Sequence, residues 1–389
     1  MLQARVGQST LADAKVAGRE AAYMASQGLN AIKMAFVYGS CDYKVEEMIA
    51  GVREELDGAA ILGNTSFTGV ITQDGYVTSA DGFVGVMALS DEEMAVGVAA
   101  MERGSDPYAT GKAIATQAMK NAGKESAPAF FYMAASPGEE EFYLKGISEV
   151  IGRVPFFGGS AADNSISGNW KLYDETSVFA DGVIVAFFYT NASVKNLFTG
   201  AYHETEDFGV ITKVDGNRTL VEIDGIPATE KYAQWRNLDK EAVSGGNLLV
   251  STITSPLGVK DRLGDLIAIR HPMNGNEDGS MAIGSNLAEK TCVIRMEATV
   301  DELISSASET LKELLGSIDG NVVALHLVHC GGRRAGIGDR IGEVADQIKE
   351  AAGEIPFLVE FTFGEYGYVS DNNNTCGGLM LSYTAFVQA

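Results

Sequence analysis

The sequence predicts an α/β protein of mixed α+β type: two domains with mixed sheets flanked by helices, built from degenerate strand–helix–strand–strand repeats. Three observations predict it. Apolar runs short enough for single strands alternate with segments of helical period. Asp-Gly pairs at 57, 74, 81, 181, 215, 224, 278 and 319 punctuate the chain, most of them between alternating apolar runs, as tight hairpin turns do. The same unit then recurs three times.

The first copy opens with the apolar strand Ala31–Ser40. A helix follows, with Val45, Met48, Ile49, Val52 and Leu56 on one face, and then the strand Ala59–Ser66. The copy continues as a meander through Val70-Ile71, Asp74-Gly75 and Tyr76-Val77, and closes on Asp81–Leu89. The second copy runs from Ala129–Ser136 through Val154–Ala161 to Asp181–Phe188. The third runs from Asn321–Gly332, through a helix with Ile337, Ile341, Val344, Ala345 and Ile348 on one face, to Ile355–Glu365 and Cys376–Tyr383. A Pro-Phe after the helix marks copies two and three. The opening strands are apolar throughout, as in sheets buried on both faces, and the closing strands are expected to be reached by hairpins.

Residues 194–300 are richer in hairpins, with Thr219–Ile223 after Asp215-Gly216, and Trp235 falls on a short helix after Pro227. Val300, Leu303, Ile304, Ala307, Leu311 and Leu314 give one more helical face before the third copy. This stretch reads as a separate β-rich segment. The expected division is 1–195 and 196–389, and 389 residues accommodate it at roughly 100–200 residues per domain.

Composition narrows the function. The longest apolar run, Val183–Tyr189, suits one buried strand and falls far short of the roughly 18–20 residues of a membrane span. The first residues carry no hydrophobic signal core. A net charge of −23, from 52 acidic against 29 basic residues, repels phosphate backbones and anionic headgroups. The chain is therefore read as cytoplasmic, with neither nucleic acid nor membrane as partner. Cys41, Cys292, Cys330 and Cys376 form no CxxC pair, which fits a reducing compartment, and four scattered histidines offer no structural zinc site.

No nucleophile elbow, Walker A loop, dinucleotide fingerprint, HExxH or EF-hand loop is present, so the chain is read as a non-enzyme. Gly336–Gly342 is the nearest phosphate-loop mimic, placed after a strand and before a helix. The loop Cys330-Gly331-Gly332-Arg333-Arg334 ends a buried strand with two glycines and a basic pair, and α/β ligands bind at such strand ends. Its counterpart Phe363-Gly364-Glu365-Tyr366-Gly367 places Glu365 and Tyr366 where they would complement the arginines. Facing loops of this kind suit the α-carboxylate and α-amino groups of an amino acid; a structural Arg–Glu pair is the alternative. In the second copy the corresponding loop carries Ser160, Asp163 and Asn164, the last two also suited to an Asx turn. His271, in Arg270-His271-Pro272-Met273, is the candidate haem ligand, with Met273 as a second. His326 and His329 fall on opposite faces of one strand. Cys330 beside the arginines is the candidate for a cysteine-dependent enzyme.

In order and spacing these segments resemble the FIST family. Val221-Glu222-Ile223-Asp224-Gly225-Ile226-Pro227-Ala228 with Tyr232 resembles the opening of a FIST C-terminal domain. Val328-His329-Cys330 to Arg334, Ile355-Pro356-Phe357, Phe361–Glu365 and Asn373-Asn374-Thr375-Cys376 resemble its later motifs. Gly63–Ser66 and Pro155–Asp163 resemble the FIST N-terminal domain. The resemblance implies a sensory module of intracellular signal transduction that binds small molecules such as amino acids and passes its state to a separate partner protein. It also implies, for some members, haem-based nitric-oxide sensing that regulates a histidine kinase. His271 stands where the family pattern has an aromatic residue.

Overall fold

A computed structural model describes residues 1–260, 267–368 and 374–388. Each predicted repeat supplies the main strands of one mixed sheet; a strand and a helix that the periodicity did not disclose precede the first two copies, and a strand and the helix anticipated at 300–314 precede the third. The first repeat comprises β1 (Gln3–Ser9), α1 (Ala14–Ser26), β2 (Ile32–Gly39), α2 (Val45–Glu55), β3 (Ala60–Thr65), the hairpin β4 (Val70–Thr72) and β5 (Gly75–Val77), and β6 (Val84–Ser90). The second comprises β7 (Ala95–Glu102), α3 (Pro107–Asn121), β8 (Phe130–Ala135), α4 (Glu140–Ile151), β9 (Phe156–Ser160), the hairpin β10 (Leu172–Asp174) and β11 (Val178–Phe179), and β12 (Gly182–Tyr189).

The third repeat starts with β13 (Ser193–Thr199) and is interrupted by an insertion. The insertion holds β14 (His203–Asp215), β15 (Thr219–Ile223), β16 (Ile226–Pro227), α5 (Ala228–Arg236), α6 (Asn247–Thr252), β17 (Leu257–Lys260), β18 (Ile267–Arg270), β19 (Pro272–Gly275), β20 (Met281–Ile283) and β21 (Cys292–Glu297). Its strands form an eight-stranded sheet of their own, which is the β-rich stretch expected from the hairpin signals. The repeat resumes with α7 (Val300–Gly316), β22 (Asn321–Cys330), α8 (Gly331–Ile337), α9 (Ile341–Ala352), β23 (Phe357–Thr362), the hairpin β24 (Glu365–Tyr368) and β25 (Asn374–Gly377), and β26 (Leu381–Gln388). A reciprocal Thr299–Glu302 capping box starts α7.

The three sheets share one order: β1-β6-β2-β3, β7-β12-β8-β9 and β13-β26-β22-β23. In each, the helix-linked pair is parallel (β2/β3, β8/β9, β22/β23) and the other pairings are antiparallel. The hairpins do not lead to the closing strand of their own sheet, as the sequence suggested. Each crosses to a neighbour: β10–β11 pairs with β3, β24–β25 with β9, and β4–β5 with β23. Strands therefore pass between residues 1–195 and 196–389 in both directions. A matching ring of backbone bonds joins the repeats: Ala162 N to Thr65 O at 2.9 Å, Phe363 N to Ser160 O at 3.0 Å, and Phe67 N to Phe361 O at 2.9 Å.

The sheets enclose a three-sided core. Phe36, Tyr132 and His326 occupy equivalent registers, opposite Leu62, Phe157 and Leu358. Their rings form a triangle with centroid separations of 5.1, 5.2 and 5.6 Å. One step along the axis lies a sealed polar layer. Asn64 Nδ2 donates to Glu360 Oε2 at 2.9 Å, the Tyr132 hydroxyl donates to Asn64 Oδ1 at 2.9 Å, and Tyr38 bonds His326 Nε2. Burial pushes the Glu360 carboxyl up to about 8 and His326 down to about 3. Their 3.6 Å approach is thus a contact between neutral groups near pH 7, not an ion pair.

Helix pairs cover the outer faces. α1 and α2 approach so closely that a Cβ on Gly51 would stand 2.0 Å from the Lys15 carbonyl. The pair α3 and α4 repeats the device at Gly146, 2.2 Å from the Tyr108 carbonyl.

Candidate functional site

The predicted loop after β22 is a helix. Cys330 caps α8 by accepting from Gly332 N at 3.2 Å, and Gly336–Gly342 starts inside that helix rather than after a strand. The predicted loop at 363–367 is a tight turn followed by β24, whose Glu365 and Tyr366 pair with Gly159 and Gly158.

These changes bring some predicted residues together and separate others. Glu365 is fully buried, with Oε1 accepting from the Thr362 hydroxyl at 3.0 Å and Oε2 from Met380 N at 3.0 Å. Burial pushes its carboxyl up to about 8. Burial first, and the neighbouring Glu365 second, push the Cys330 thiol well above its usual range. A protonated, enclosed thiol is a poor nucleophile, which does not favour the cysteine-dependent alternative at Cys330. Arg333 points under α7, its Nη2 donating to Leu303 O at 3.0 Å and Ser306 Oγ at 2.7 Å. Arg333, Cys330 and Glu365 therefore share one sealed region.

Ser160 and Tyr366 meet on the other side of β24, Oγ to OH at 2.6 Å, and Ser160 also donates to Glu140 Oε1 at 2.9 Å. Arg334 turns away from Glu365. Its guanidinium lies 5.0 Å from the Tyr76 ring centroid and donates to Gly338 O at 2.9 Å. The two-arginine clamp opposite Glu365 does not form. Asp163 is an Asx-turn residue: its carboxylate accepts from the backbone N–H groups of Ser165, Ser167, Gly168 and Asn169. Burial acts to raise its pKa, but the four amides win and lower it. Asn164 ties the repeats together, accepting from Thr68 N at 2.8 Å and donating to Asp42 at 2.6 Å.

His271 is enclosed, and burial pushes it down to about 4. Its Nε2 faces Leu249 O at 3.4 Å, and a Cβ on Gly332 would stand 3.5 Å from its Cε1. A porphyrin face needs open space at that nitrogen, so the residues present do not fit a haem. Met273 packs beside Gly284. His326 and His329 do point to opposite faces of β22, as their spacing required: one joins the axial layer, the other faces the helices.

The solvent-open candidate lies where α4, the β24–β25 hairpin and the inserted sheet meet. It is a cleft of about 340 Å³ lined by Glu141, Lys145, Arg153, Arg270, Asn374 and Cys376, among others. Arg270 Nε donates to Asn286 O at 2.9 Å and Nη1 to Ile269 O at 3.1 Å, and no carboxylate of the described residues forms an ion pair with it. Burial lowers the Arg270 pKa, and the Glu141 carboxylate works in the opposite direction. Glu141 itself holds Arg218 Nη2 at 2.6 Å and accepts from Asn286 N at 3.0 Å. Arg218 also takes the buried Glu140 at 2.6 Å, clamping the insertion to α4. A guanidinium with no ion-pair partner among the described residues, near a carboxylate already fixed by Arg218, suits a small zwitterion or anion.

Arg270 and the Asn374–Cys376 segment had been legible as motifs, but not as neighbours. Glu141 and Lys145 carried no signal, because charges spaced four apart on a helix read as a solvated face, and Arg153 follows the helix end as an isolated charge. A larger groove of about 940 Å³ within the insertion sets Glu230, Glu277 and Asp278 against Lys240. Among the described residues no group of three or more metal-ligating side chains gathers, and no helix is long and apolar enough to cross a membrane.

Among solved structures, the chain is similar to cyanuric acid hydrolase from A. caulinodans, at 10% identity and TM-score 0.37 over 100% of both chains. It is also similar to a chorismatase, at 10% identity and TM-score 0.35 over 100% of this chain and 98% of that one. A third is phosphoribosylformylglycinamidine synthase II from Thermotoga maritima, at 11% identity and TM-score 0.25 over 99% of this chain and 72% of that one. No curated protein sequence matches it. The FIST N domain matches residues 33–226 and the FIST C domain residues 228–368, and the chain belongs to the FIST family.

Proposed function

We propose that this FIST protein is a non-catalytic, cytoplasmic sensor that binds a small carboxylate-bearing metabolite in the Arg270 cleft. One observation carries the reading: in a chain of net charge −23, Arg270 faces an open cleft without a carboxylate partner among the described residues. An amino acid suits the charge pattern, its carboxylate on Arg270 and its ammonium toward Glu141. Ligand there would touch α4, the exchanged hairpin and the inserted sheet together. Its arrival would bias how the insertion sits on the three-sheet core, which gives a separate partner protein, such as a histidine kinase, something to read.

The test is thermal unfolding of the full chain with a panel of amino acids and small carboxylates. A ligand selective for the folded state raises the midpoint in proportion to its concentration over Kd. The rise is expected in the wild type and in Arg334→Ala, and is expected to vanish in Arg270→Met. No rise with any compound at saturation, or an undiminished rise in Arg270→Met, would overturn the reading.

A further inference from the structure

Among the described residues, Arg333 is the largest fully buried side chain, and its Nε and Nη1 find no hydrogen-bond partner. Two more buried polar atoms nearby are unpartnered: His329 Nε2 and the Tyr383 hydroxyl. The β22–β26 register sets His329 opposite Leu381 and Leu327 opposite Tyr383, so His329 and Tyr383 are diagonal neighbours on the helix-facing side. The Arg333 charge acts on both.

Among the described residues no carboxylate forms an ion pair with the guanidinium. Glu365 is the nearby carboxyl, but both its oxygens are engaged by Thr362 and Met380, and burial keeps it largely protonated near neutral pH. An isolated buried cation with unmet donors is costly, and such charges are normally paired. His329 Nδ1 donates to Cys330 O at 3.0 Å, which leaves Nε2 of the neutral ring as a bare acceptor. The unmet groups are thus donors on Arg333, an acceptor on His329, and a hydroxyl on Tyr383 that serves as either. A halide satisfies only the donors. A neutral water leaves the charge uncompensated.

The geometry points to an enclosed binding site under α7 for a small oxyanion that carries its own O–H, hydrogencarbonate being the smallest ordinary member. Its charged oxygens face Arg333 and Tyr383, and its hydroxyl donates to His329 Nε2. The site is separate from the Arg270 cleft and does not depend on it.

The experiment titrates the full chain with sodium hydrogencarbonate, sodium nitrate and sodium chloride at matched pH and ionic strength, reading the thermal midpoint. Hydrogencarbonate is expected to give a saturable rise. Nitrate, equally planar but without a proton to donate, is expected to bind at least tenfold more weakly, and chloride to give no saturable rise. Tyr383→Phe, which removes one oxygen and keeps the ring, is expected to weaken hydrogencarbonate roughly tenfold, the size of one hydrogen bond to a charged group. Arg270→Met is expected to leave the titration unchanged, which separates this site from the cleft. Identical behaviour of the three salts would sink the proposal, as would a Tyr383→Phe titration that overlays the wild type.

Discussion

Tyr38 and His326 hydrogen-bond side chain to side chain on the axis of the three-sheet core, although 288 positions separate them in the chain. The bond joins the first repeat to the third, and Glu360, Asn64 and Tyr132 complete the same sealed layer. Neutrality allows it. A charged imidazole or carboxylate there would face a large desolvation penalty.

That neutrality has a pH signature. Glu360 titrates at about 8 in the folded chain, against about 4.3 unfolded. A raised carboxyl pKa gives stability that is full below the unfolded value and is lost as pH rises toward the folded one. Glu360→Gln keeps the shape and removes the titration. It is expected to gain at least about 1 kcal/mol relative to the wild type between pH 5 and about 8. Urea unfolding of both proteins across that range checks it. A constant difference would mean that Glu360 does not carry its proton in the folded state.

The histidines act on the acid side. His326 and His329 titrate at about 3 and His271 at about 4 when folded, well below an unfolded histidine. A lowered pKa gives stability that is present above about 6.5 and lost as pH falls toward the folded values. Glu360→Gln should therefore retain the acid-side loss, read as thermal midpoints below pH 6, while its loss between pH 5 and about 8 is reduced.

The Arg218 clamp holds a nearly buried carboxylate. Glu140 is 4% exposed and meets Arg218 at 2.6 Å. Arg218→Gln leaves that carboxylate without its cation and is expected to cost about 3–5 kcal/mol, as other broken buried pairs do. The double variant Arg218→Gln/Glu140→Gln should recover part of the loss, because no unpaired charge remains. Equilibrium unfolding of the single and double variants measures the coupling. Additive losses would show the pair to be energetically idle.

Thiol reactivity separates exposure from chemistry. Cys292 is exposed, whereas Cys330 is buried with its thiol pushed up by burial. Iodoacetamide followed by peptide mass spectrometry should label Cys292 readily and Cys330 only on unfolding. Prompt labelling of Cys330 in the native protein would reopen cysteine chemistry at α8.

The site was partly legible before folding. Gly and Arg after a buried strand marked the end of β22, and the structure sets Glu365 within electrostatic reach of Arg333. The pairing of Arg334 with Glu365 failed because Tyr76, brought in on the exchanged hairpin β4–β5, offers its ring and hydroxyl to that guanidinium. Asp163 suits an Asx turn as well as a ligand by sequence, and four backbone amides claim it. His271 invited a cofactor by its neighbours in sequence, yet Leu249 and Gly332 close over the ring.

Period and punctuation are local properties, so the sequence alone determined the repeats, the faces of α2, α7 and α9, the β-rich insertion and the alternation that splits His326 from His329. Which sheet each hairpin joins is a contest among three similar strand edges, and local pattern does not distinguish them. Only the assembled structure decided it, by closing the ring of backbone bonds among Thr65, Ser160 and Phe361. The same assembly set Arg270 at an open cleft and sealed Arg333 under α7, because burial and pairing depend on residues distant in the chain.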